Sequence, residues 1–184
     1  MKIVHEDYGG LNVQLREYRE SDFLGLATLY KLFFNEMREW QGWGALKLED
    51  KQAEKIARES LNHNSLVFVA EEKGNLVGFA RIQLWDGAYF VREVFVKKSC
   101  RRRGVGSSLL AKCEEEVGRA GETSLYLMVE PKNLRSLNFL VKNGFDTLNT
   151  IELRKDFAEG GAPEREGEIQ VLGIRLRLLK RKIL

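Results

Sequence analysis

The sequence predicts a single α+β domain built around a mixed sheet. A chain of 184 residues is long enough for one domain and short for two. Three strand-like runs follow one another in the middle of the chain, and helical patterns lie on both sides of them. The chain carries no internal repeat and no second core. Residues 1–184 are therefore predicted to form one domain.

The N-terminal part predicts one strand and two helices. Leu11, Val13 and Leu15 alternate with polar residues, which is typical of a half-buried strand. Ser21 is predicted to cap a long amphipathic helix that the segment WQGWGAL ends. A more polar helix is predicted to follow over about residues 49–61.

The middle of the chain predicts an antiparallel meander. Its three strand-like runs are LVFVAEE, LVGFARIQLW and AYFVREVFV. Lys73-Gly74-Asn75 and Asp86-Gly87 separate them, and both are good hairpin turns. Asp86 could also contact an amine, but the turn is the favoured interpretation.

The C-terminal half predicts helices alternating with strands. A helix is expected over about residues 106–120, and SLYLMV is expected to be a short buried strand. A second helix is predicted over residues 133–143, ended by Gly144. Further strands are predicted near residues 146–155 and 168–180, joined by the linker-like AEGGAPEREG, with a bulge at Gly173 in the last one.

Composition indicates an ordinary globular protein. Hydrophobic residues make up 43% and charged residues 31% of the chain. The net charge of +3 does not favour a protein that coats itself with nucleic acid. No apolar run is long enough to span a bilayer and no secretory signal is recognisable, so a cytoplasmic location and no membrane association are expected. Cys100 and Cys113 form no metal motif, and Cys113 is predicted to be a small buried hydrophobe.

A glycine-containing turn follows the third strand of the meander and precedes a helix. Its sequence is RRRGVGSS, over residues 101–108. A strand, a glycine turn and a helix N-terminus together favour a pyrophosphate, because unpaired backbone N–H groups and the helix dipole converge on the anion. The turn lacks the Gly-Lys-Ser/Thr of a nucleoside triphosphate site and the third glycine of a dinucleotide fingerprint.

Two motifs give this chain a resemblance to a known family. Arg101-Arg102-Arg103-Gly104-Val105-Gly106 is similar to the Q/R-x-x-G-x-G/A signature of the GCN5-related N-acetyltransferases, the GNAT family. About thirty residues later, a stretch from Asn133 to Phe145 resembles the family's Asn, helix, Gly-Phe marker. The resemblance covers nearly the whole chain. It implies a GNAT-like fold, with a central, mostly antiparallel twisted sheet flanked by helices.

The resemblance also implies an organisation and a cosubstrate. Helices on the acceptor side would occupy about residues 21–61, the acetyl-CoA-binding core about 65–145 and the C-terminal strands about 146–180. The expected acetyl-CoA contacts come from the turn, from the strand before it, and from the second motif. They are Arg101, Arg102, Arg103, Gly104, Val105, Gly106, Ser107, Val94, Phe95, Val96 and Asn133. A backbone N–H near Val94 would polarise the acetyl carbonyl.

Glu93 is the candidate general base. A free lysine amine at pH 7 is deprotonated about once in a few thousand molecules, so the site must accept a proton from the acceptor. The family often carries an acidic residue at this strand position, working through water. The alternative is that Glu93 is a solvated strand residue paired with Arg81 or Arg92.

The general acid is left unassigned. The family often has a tyrosine in the second-motif helix, and Leu140 occupies that position here. Tyr126 or Tyr89 could serve instead, or a thiolate could leave unaided near its own pKa of about 8.5. Leu140 also motivates a rival hypothesis, in which the chain is a non-catalytic acyl-CoA sensor or regulatory module.

The acceptor is predicted to be a small-molecule or peptide amine. Trp40 and Trp43 with Glu36, Glu39 and Asp50 could form an aromatic and acidic mouth for a cation, or the tryptophans could complete the core. Neither a nucleic-acid partner nor a metal is expected, although the arginines and the C-terminal RLRLLKRK motivate a weaker RNA-binding hypothesis. A homodimer is possible because the last strand offers an edge.

Overall fold

A computed structural model describes residues 13–41, 47–155 and 165–179. Contacts divide the chain into two compact units, the first being Met1–Phe34 with Leu48–Met128 and the second Asn35–Lys47 with Val129–Leu184. The elements in chain order are β1 (Gln14–Glu17), α1 (Phe23–Trp40), α2 (Asp50–Ser60), β2 (Ser65–Glu72), β3 (Asn75–Trp85), β4 (Ala88–Val96), α3 (Val105–Arg119), β5 (Tyr126–Leu127), α4 (Leu134–Lys142), β6 (Arg165–Val171) and β7 (Ile174–Leu179).

The first unit contains a five-stranded sheet in the order β1-β2-β3-β4-β5. The first three strand pairs are antiparallel and the β4–β5 pair is parallel. Lys73-Gly74 and Asp86-Gly87 each have two positive φ angles, which is the conformation of the type I′ hairpin turn. The predicted fold class and both predicted hairpins are therefore confirmed, and Asp86 is a turn residue.

Helices cover both faces of this sheet. On one face, α1 buries Leu26, Leu29 and Tyr30 in a cluster that includes Phe79 and Phe95. On the other, α3 contacts β2, β3 and β4 and buries one apolar stripe of its own. Each large apolar side chain so buried contributes roughly 1.5–3 kcal/mol. The stripe consists of Val105, Leu109, Leu110, Cys113 and Val117, so the prediction of a buried Cys113 is confirmed.

The start of α1 differs from the prediction. A 3-10 turn, Glu20–Asp22, precedes the helix and includes Ser21, so Ser21 is not the cap. The Asp22 carboxylate accepts the backbone N–H of Arg19 at 2.8 Å instead. The Arg16 guanidinium also donates to Asp22, at 2.6 and 2.8 Å, and holds its carboxylate at the end of β1. Leu11 lies outside the described residues.

In the second unit, α4 matches its predicted limits. The Asn133 side chain accepts the Ser136 N–H at 3.2 Å and caps the helix. At the other end, the Gly144 N–H donates to Val141 O and the Phe145 N–H to Leu140 O, both at 3.1 Å. This pair of bonds is the Schellman motif, which satisfies carbonyls left open at the helix end.

Two predictions for the C-terminal part are wrong. Residues 146–155 form no strand. Leu148 and Leu153 in that segment are exposed, and no strand of the described chain pairs with it. The predicted last strand is the hairpin of β6 and β7, since Leu172 and Gly173, with φ of 50° and 81°, reverse the chain. The phase shift at Gly173 is therefore a turn, and not a bulge. Most of the linker-like stretch lies outside the described residues.

None of the helices in the described part of the chain is both long enough and apolar enough to cross a membrane.

Candidate functional site

The turn between β4 and α3 has an unusual backbone conformation. A 3-10 turn, Lys98–Cys100, follows β4, and α3 begins at Val105. Gly104, which precedes the helix, has a φ of 82°, and Arg102 has a φ of 59°. A side chain in this left-handed region costs roughly 1–2 kcal/mol, so glycine suits position 104. The chain therefore changes direction at Gly104 and enters α3 with its N–H groups facing outward from the helix start.

This conformation leaves a run of backbone donors without acceptors. The first helical bond of α3 runs from the Ser108 N–H to Gly104 O, at 3.0 Å. Over residues 102–107, no backbone N–H donates to an acceptor among the residues that the structure describes. Most of this segment is exposed, although Val105, the first residue of α3, is buried. Unpaired donors at a helix N-terminus form an anion-binding site. We call residues 102–107 the amide cradle.

The three arginines of the turn have different surroundings. The Arg101 side chain donates to Val96 O at 2.7 Å and lies over the Phe95 ring, while its own N–H donates to Lys98 O at 3.4 Å. Arg103 pairs with Glu72 at 2.6 Å, and that hydrogen bond lowers the pKa of the Glu72 carboxyl. Arg102 is exposed. Arg101 thus stabilises the end of β4, and its backbone N–H does not belong to the cradle.

The outer edge of β4 opens next to the cradle. β5 pairs with β4 only at Phe90↔Tyr126 and Val91↔Leu127. The Lys97 N–H donates to Val77 O, so by antiparallel alternation the backbone groups of Phe95 also face β3, whereas those of Val94 and Val96 face the open edge. Val96 O already accepts Arg101. Of the three predicted strand contacts, Val94 and Val96 offer backbone groups and Phe95 offers none.

A β-bulge determines where Glu93 points. β4 pairs with β3 at Arg81↔Glu93 on one side of the irregularity and at Ile82↔Val91 on the other. Arg92 is therefore the extra residue on β4, and it is exposed. The extra residue reverses which face the following side chains occupy. Glu93 consequently shares a face with Arg81 and with Phe95.

Glu93 is paired with Arg81 through both carboxylate oxygens. Arg81 Nε lies 2.5 Å from Glu93 Oε2, and Arg81 Nη2 lies 2.8 Å from Oε1. The two side chains are 8% and 14% exposed, so the pair is largely shielded from water. Burial by itself lowers the pKa of Arg81, but hydrogen bonding and charge attraction from Glu93, with smaller contributions from Tyr30, together outweigh this effect, and the pKa of Arg81 is raised. Of the two alternative partners named from sequence, Arg81 is the one that pairs.

Two further residues join this pair, and sequence reasoning missed both. Tyr30 Oη donates to Glu93 Oε2 at 3.4 Å, and Arg81 Nη1 donates to Ser65 Oγ at 3.1 Å. We call Arg81, Glu93, Tyr30 and Ser65 the Glu93 network. The available signal was an arginine within the apolar run LVGFARIQLW, since a buried charge needs a partner on a neighbouring element.

An aromatic cluster continues the same face of the sheet. On β3, Gln83 is two residues after Arg81 and its side chain is on the same face. Phe90 pairs with Gln83 and Glu93 pairs with Arg81, so the two pairs lie about 7 Å apart along the sheet. The Phe90 ring contacts Trp85 and Tyr126, with ring centroids 5.3 and 5.4 Å apart. Trp85 is 52% exposed. We call Trp85, Phe90 and Tyr126 the aromatic shelf.

The remaining predicted residues are found elsewhere. Leu140 is 5% exposed and is a core residue of the second unit, with no group that could donate a proton. Asn133 uses its side-chain oxygen to cap α4. Tyr89 alternates with Phe90 along β4, and therefore points to the opposite face from Glu93.

Most acidic groups of the predicted acceptor mouth already have cationic partners. Asp50, at the start of α2, binds Lys31 at 2.8 Å. Glu36 lies 3.5 Å from Arg135 within the second unit. Glu39 is exposed and Trp40 is half-buried, while Trp43 lies outside the described residues.

Comparison with known proteins identifies relatives over most of the chain. A family model described as "Acetyltransferase (GNAT) family" matches residues 26–145. YhfO of Bacillus subtilis (strain 168), an uncharacterized N-acetyltransferase, is 26% identical over 144 residues, which cover 73% of this chain and 90% of YhfO.

Solved structures share the fold. An integron cassette protein from the mobile metagenome of V. cholerae aligns with a TM-score of 0.66 and 17% identity, covering 83% of this chain and 96% of that protein. The aminoglycoside acetyltransferase AAC(6')-Iy, in complex with a CoA-S-monomethyl-acetylneamine bisubstrate analogue, aligns with a TM-score of 0.61 and 18% identity over 79% of this chain and 99% of that one.

Proposed function

The chain belongs to the GNAT family of acetyltransferases, and on that premise we propose how its residues carry out the family reaction. It is an acyltransferase that uses acetyl-CoA and transfers the acetyl group to an amine. The proposal concerns the residues that bind the donor, the base, and the class of amine. It also retains the chain as one acetyltransferase domain over residues 1–184.

The amide cradle is the observation that carries the proposal. Its N–H groups over residues 102–107 have no acceptor in the described chain, and the dipole of α3 adds positive potential at the same place. A diphosphate supplies acceptors and negative charge together. Gly104, Val105, Gly106 and Ser107 hold the pyrophosphate of CoA through the backbone, and Arg102 adds a screened positive charge. Asn133 stays a proposed contact of acetyl-CoA.

The open edge of β4 suits the rest of the donor. The backbone groups of Val94 point to this edge, and no strand of the described chain pairs with them. The pantetheine arm is amide-rich and can add to such an edge as a short strand would. The Val94 N–H is then the donor that polarises the acetyl carbonyl. Acetyl-CoA supplies an activated acetyl thioester.

Glu93 acts as base through one water. In the reaction the amine nitrogen bonds to the acetyl carbon, the carbon–sulfur bond breaks, and the electron pair leaves with the thiolate. The proton that the amine loses passes through water to Glu93 Oε1. The thiolate leaves without a general acid, since Leu140 has no proton to give and a thiol has a pKa near about 8.5.

The acceptor is a small monoamine with an apolar or aromatic body. Glu93 and Asp50 each have a cationic partner, so they offer little net charge to a polycation. The aromatic shelf lies on the face of Glu93, and aromatic faces bind both apolar groups and cations. In this preference for a monoamine, the chain differs from the aminoglycoside acetyltransferases that share its fold.

A homodimer is proposed through the β6–β7 hairpin. Ile169 and Ile174, 40% and 64% exposed, lie on one face of that hairpin, and two isolated strands are marginally stable in water. Light scattering on Ile174→Glu tests it. A monomeric variant beside a dimeric wild type is expected, whereas a monomeric wild type refutes it.

The proposed function is tested by donor binding and acetyl transfer together. CoA titration by calorimetry is measured for wild type, Gly106→Glu and Gly118→Glu. Both glycines lie in α3, but only Gly106 is in the cradle, and a Cβ at Gly118 meets no atom within 4 Å. We expect at least tenfold weaker binding for Gly106→Glu, and little change for Gly118→Glu.

Thiol release from acetyl-CoA is then followed with phenethylamine, hexylamine, spermidine and kanamycin. The first two are expected to be the better substrates. With ethylamine measured in addition, Trp85→Ala is expected to raise KM for phenethylamine more than for ethylamine. Preference for spermidine or kanamycin refutes the proposed acceptor class. Equal loss of CoA binding in both glycine variants refutes the cradle.

A further inference from the structure

We propose that Arg81 is a positioning residue, which holds the Glu93 carboxylate in one orientation and leaves a single acceptor site on Oε1 for the catalytic water. This inference rests on the proposed role of Glu93. It assigns a function to a buried charge on β3 that belongs neither to the amide cradle nor to the aromatic shelf.

Arg81 is held at three points. Glu93 on β4 accepts two of its N–H groups, and Ser65 on β2 accepts a third. Ser65 Oγ in turn lies 3.1 Å from Asn62 Oδ1, to which it donates. Of the charged side chains in the described part of the chain, Arg81 is the one that is buried. A planar guanidinium anchored from two strands has little freedom, so it can set the position of its carboxylate partner.

The acceptor sites of Glu93 can be counted. An ionised carboxylate offers about four lone-pair positions, two on each oxygen. Arg81 uses one position on Oε2 and one on Oε1, and Tyr30 uses the second on Oε2. Burial and the nearby Glu93 charge raise the pKa of Tyr30, so its phenol remains a donor at neutral pH. No other donor among the described residues bonds to this carboxylate, so one position on Oε1 remains for water.

Arg81 is the charged neighbour of the Glu93 carboxylate. Three groups face Glu93 from the elements packed against it, namely Arg81 on β3, Tyr30 on α1 and, behind Arg81, the neutral Ser65 on β2. Replacing Arg81 with a neutral residue therefore removes the ionic anchor of the carboxylate. Coupling between substitutions at the two positions reports whether Arg81 acts through Glu93.

A double-mutant cycle tests the inference. We compare kcat/KM for wild type, Arg81→Gln, Glu93→Gln and the double variant, with the best amine of the panel and with melting temperatures recorded in parallel. Arg81→Gln alone leaves a buried carboxylate unpaired and will unfold more easily, but the double variant removes both charges and protects against this. Arg81→Lys keeps the charge while losing the two-point geometry.

A positioning role predicts strong coupling. Arg81→Gln is expected to lower kcat/KM at least tenfold when Glu93 is present and less than twofold when Glu93 is already Gln. Arg81→Lys is expected to recover part of this loss, because it keeps the charge. KM for acetyl-CoA stays unchanged, because the cradle lies beyond the end of β4.

Arg16→Gln is the matched control. Arg16 binds two carboxylates, those of Asp22 and Glu71, whereas Arg81 binds one, and it lies on β1 at the far edge of the sheet. Arg16→Gln is expected to lower the melting temperature with little change in kcat/KM.

Several outcomes overturn the inference. Equal losses from Arg81→Gln in both backgrounds, or a lower melting temperature with an unchanged kcat/KM, would make Arg81 purely structural. Full activity of Glu93→Gln would remove the base on which the inference rests. Absence of acetyl transfer by wild type to every amine is a different result, since it refutes the proposed acceptor chemistry itself.

Discussion

Replacing Gly78 with alanine is expected to destabilise the protein and to weaken its binding of CoA. Gly78 lies on β3 opposite Val96, at the end of β4 that leads into the cradle. A Cβ at this position would lie 2.8 Å from Phe95 O, and ordinary contact begins at 3.4 Å, so a gap of 3.4 − 2.8 = 0.6 Å must open. The clashing atom belongs to the backbone and cannot rotate away. Relief therefore requires β4 to move at the residues that face its open edge.

The magnitude follows from two opposing effects. Overpacking of this kind costs about 1–3 kcal/mol. Alanine also restricts the unfolded chain and returns about 0.4–1 kcal/mol. The net loss in the free energy of unfolding is about 1–2 kcal/mol, which lowers the melting temperature by roughly 3–6 °C in a chain of this size. Because Val94 and Val96 move with Phe95, CoA affinity should fall as well.

Gly118→Ala is the control for this prediction. Gly118 lies inside α3, and a Cβ there meets nothing within 4 Å. Alanine is the better helix former by up to about 1 kcal/mol, so the control should melt at a higher temperature than wild type. Urea unfolding and CoA calorimetry on both variants provide the measurement. If Gly78→Ala proves as stable as wild type while Gly118→Ala is stabilised, the close approach of β3 and β4 has been misjudged.

Three further predictions follow from single groups. The Arg16 hydrogen bond lowers the pKa of Asp22, so the stability that Asp22 provides is complete above about pH 4 and is lost as the pH falls through the lower folded value. Asp22→Asn should therefore lower the free energy of unfolding by about 1–3 kcal/mol at pH 7. Urea unfolding should show this difference shrinking below about pH 4. A difference that does not depend on pH would contradict the prediction. Burial raises the pKa of Cys113 to about 12, and Cys100 is also buried. A thiol reagent at pH 8 should therefore modify neither cysteine until urea is added. Rapid modification of the folded chain would show that the thiols are accessible. Leu140 is 5% exposed, so Leu140→Ala should lower the free energy of unfolding in urea by about 2–5 kcal/mol. Leu140→Tyr should not increase the rate of thiol release. A faster Leu140→Tyr variant would mean that the side chain at this position does reach the leaving sulfur.

Local patterns predicted most of the first unit correctly. The meander follows from three alternating runs and two turns that tolerate positive φ, and both features act within a few residues. The cradle is equally local, because a glycine before a helix leaves donors unpaired wherever the chain folds. These features were predictable because their physical causes lie within the same short stretch of sequence.

The two failures have different causes. Residues 146–155 alternate like a strand, but a strand exists only when another strand pairs with it, and none in the described chain does. The hairpin at Leu172-Gly173 was missed because leucine is an unusual residue at a positive φ. In the first place the decisive partner would lie outside the segment that carries the pattern, and in the second a turn lies within that segment.

The sequence by itself determined the fold class, the family and the position of the cradle, since each depends on composition or on short motifs that fold alike in any context. Only the tertiary structure decided the orientation of the Glu93 side chain and the groups that surround its carboxylate. The bulge at Arg92 turns that side chain toward Arg81, and the separation of β4 from β5 frees the backbone beside it. Tyr30, Ser65 and Arg81 come from three different elements, and a carboxylate acquires such neighbours only when those elements pack together.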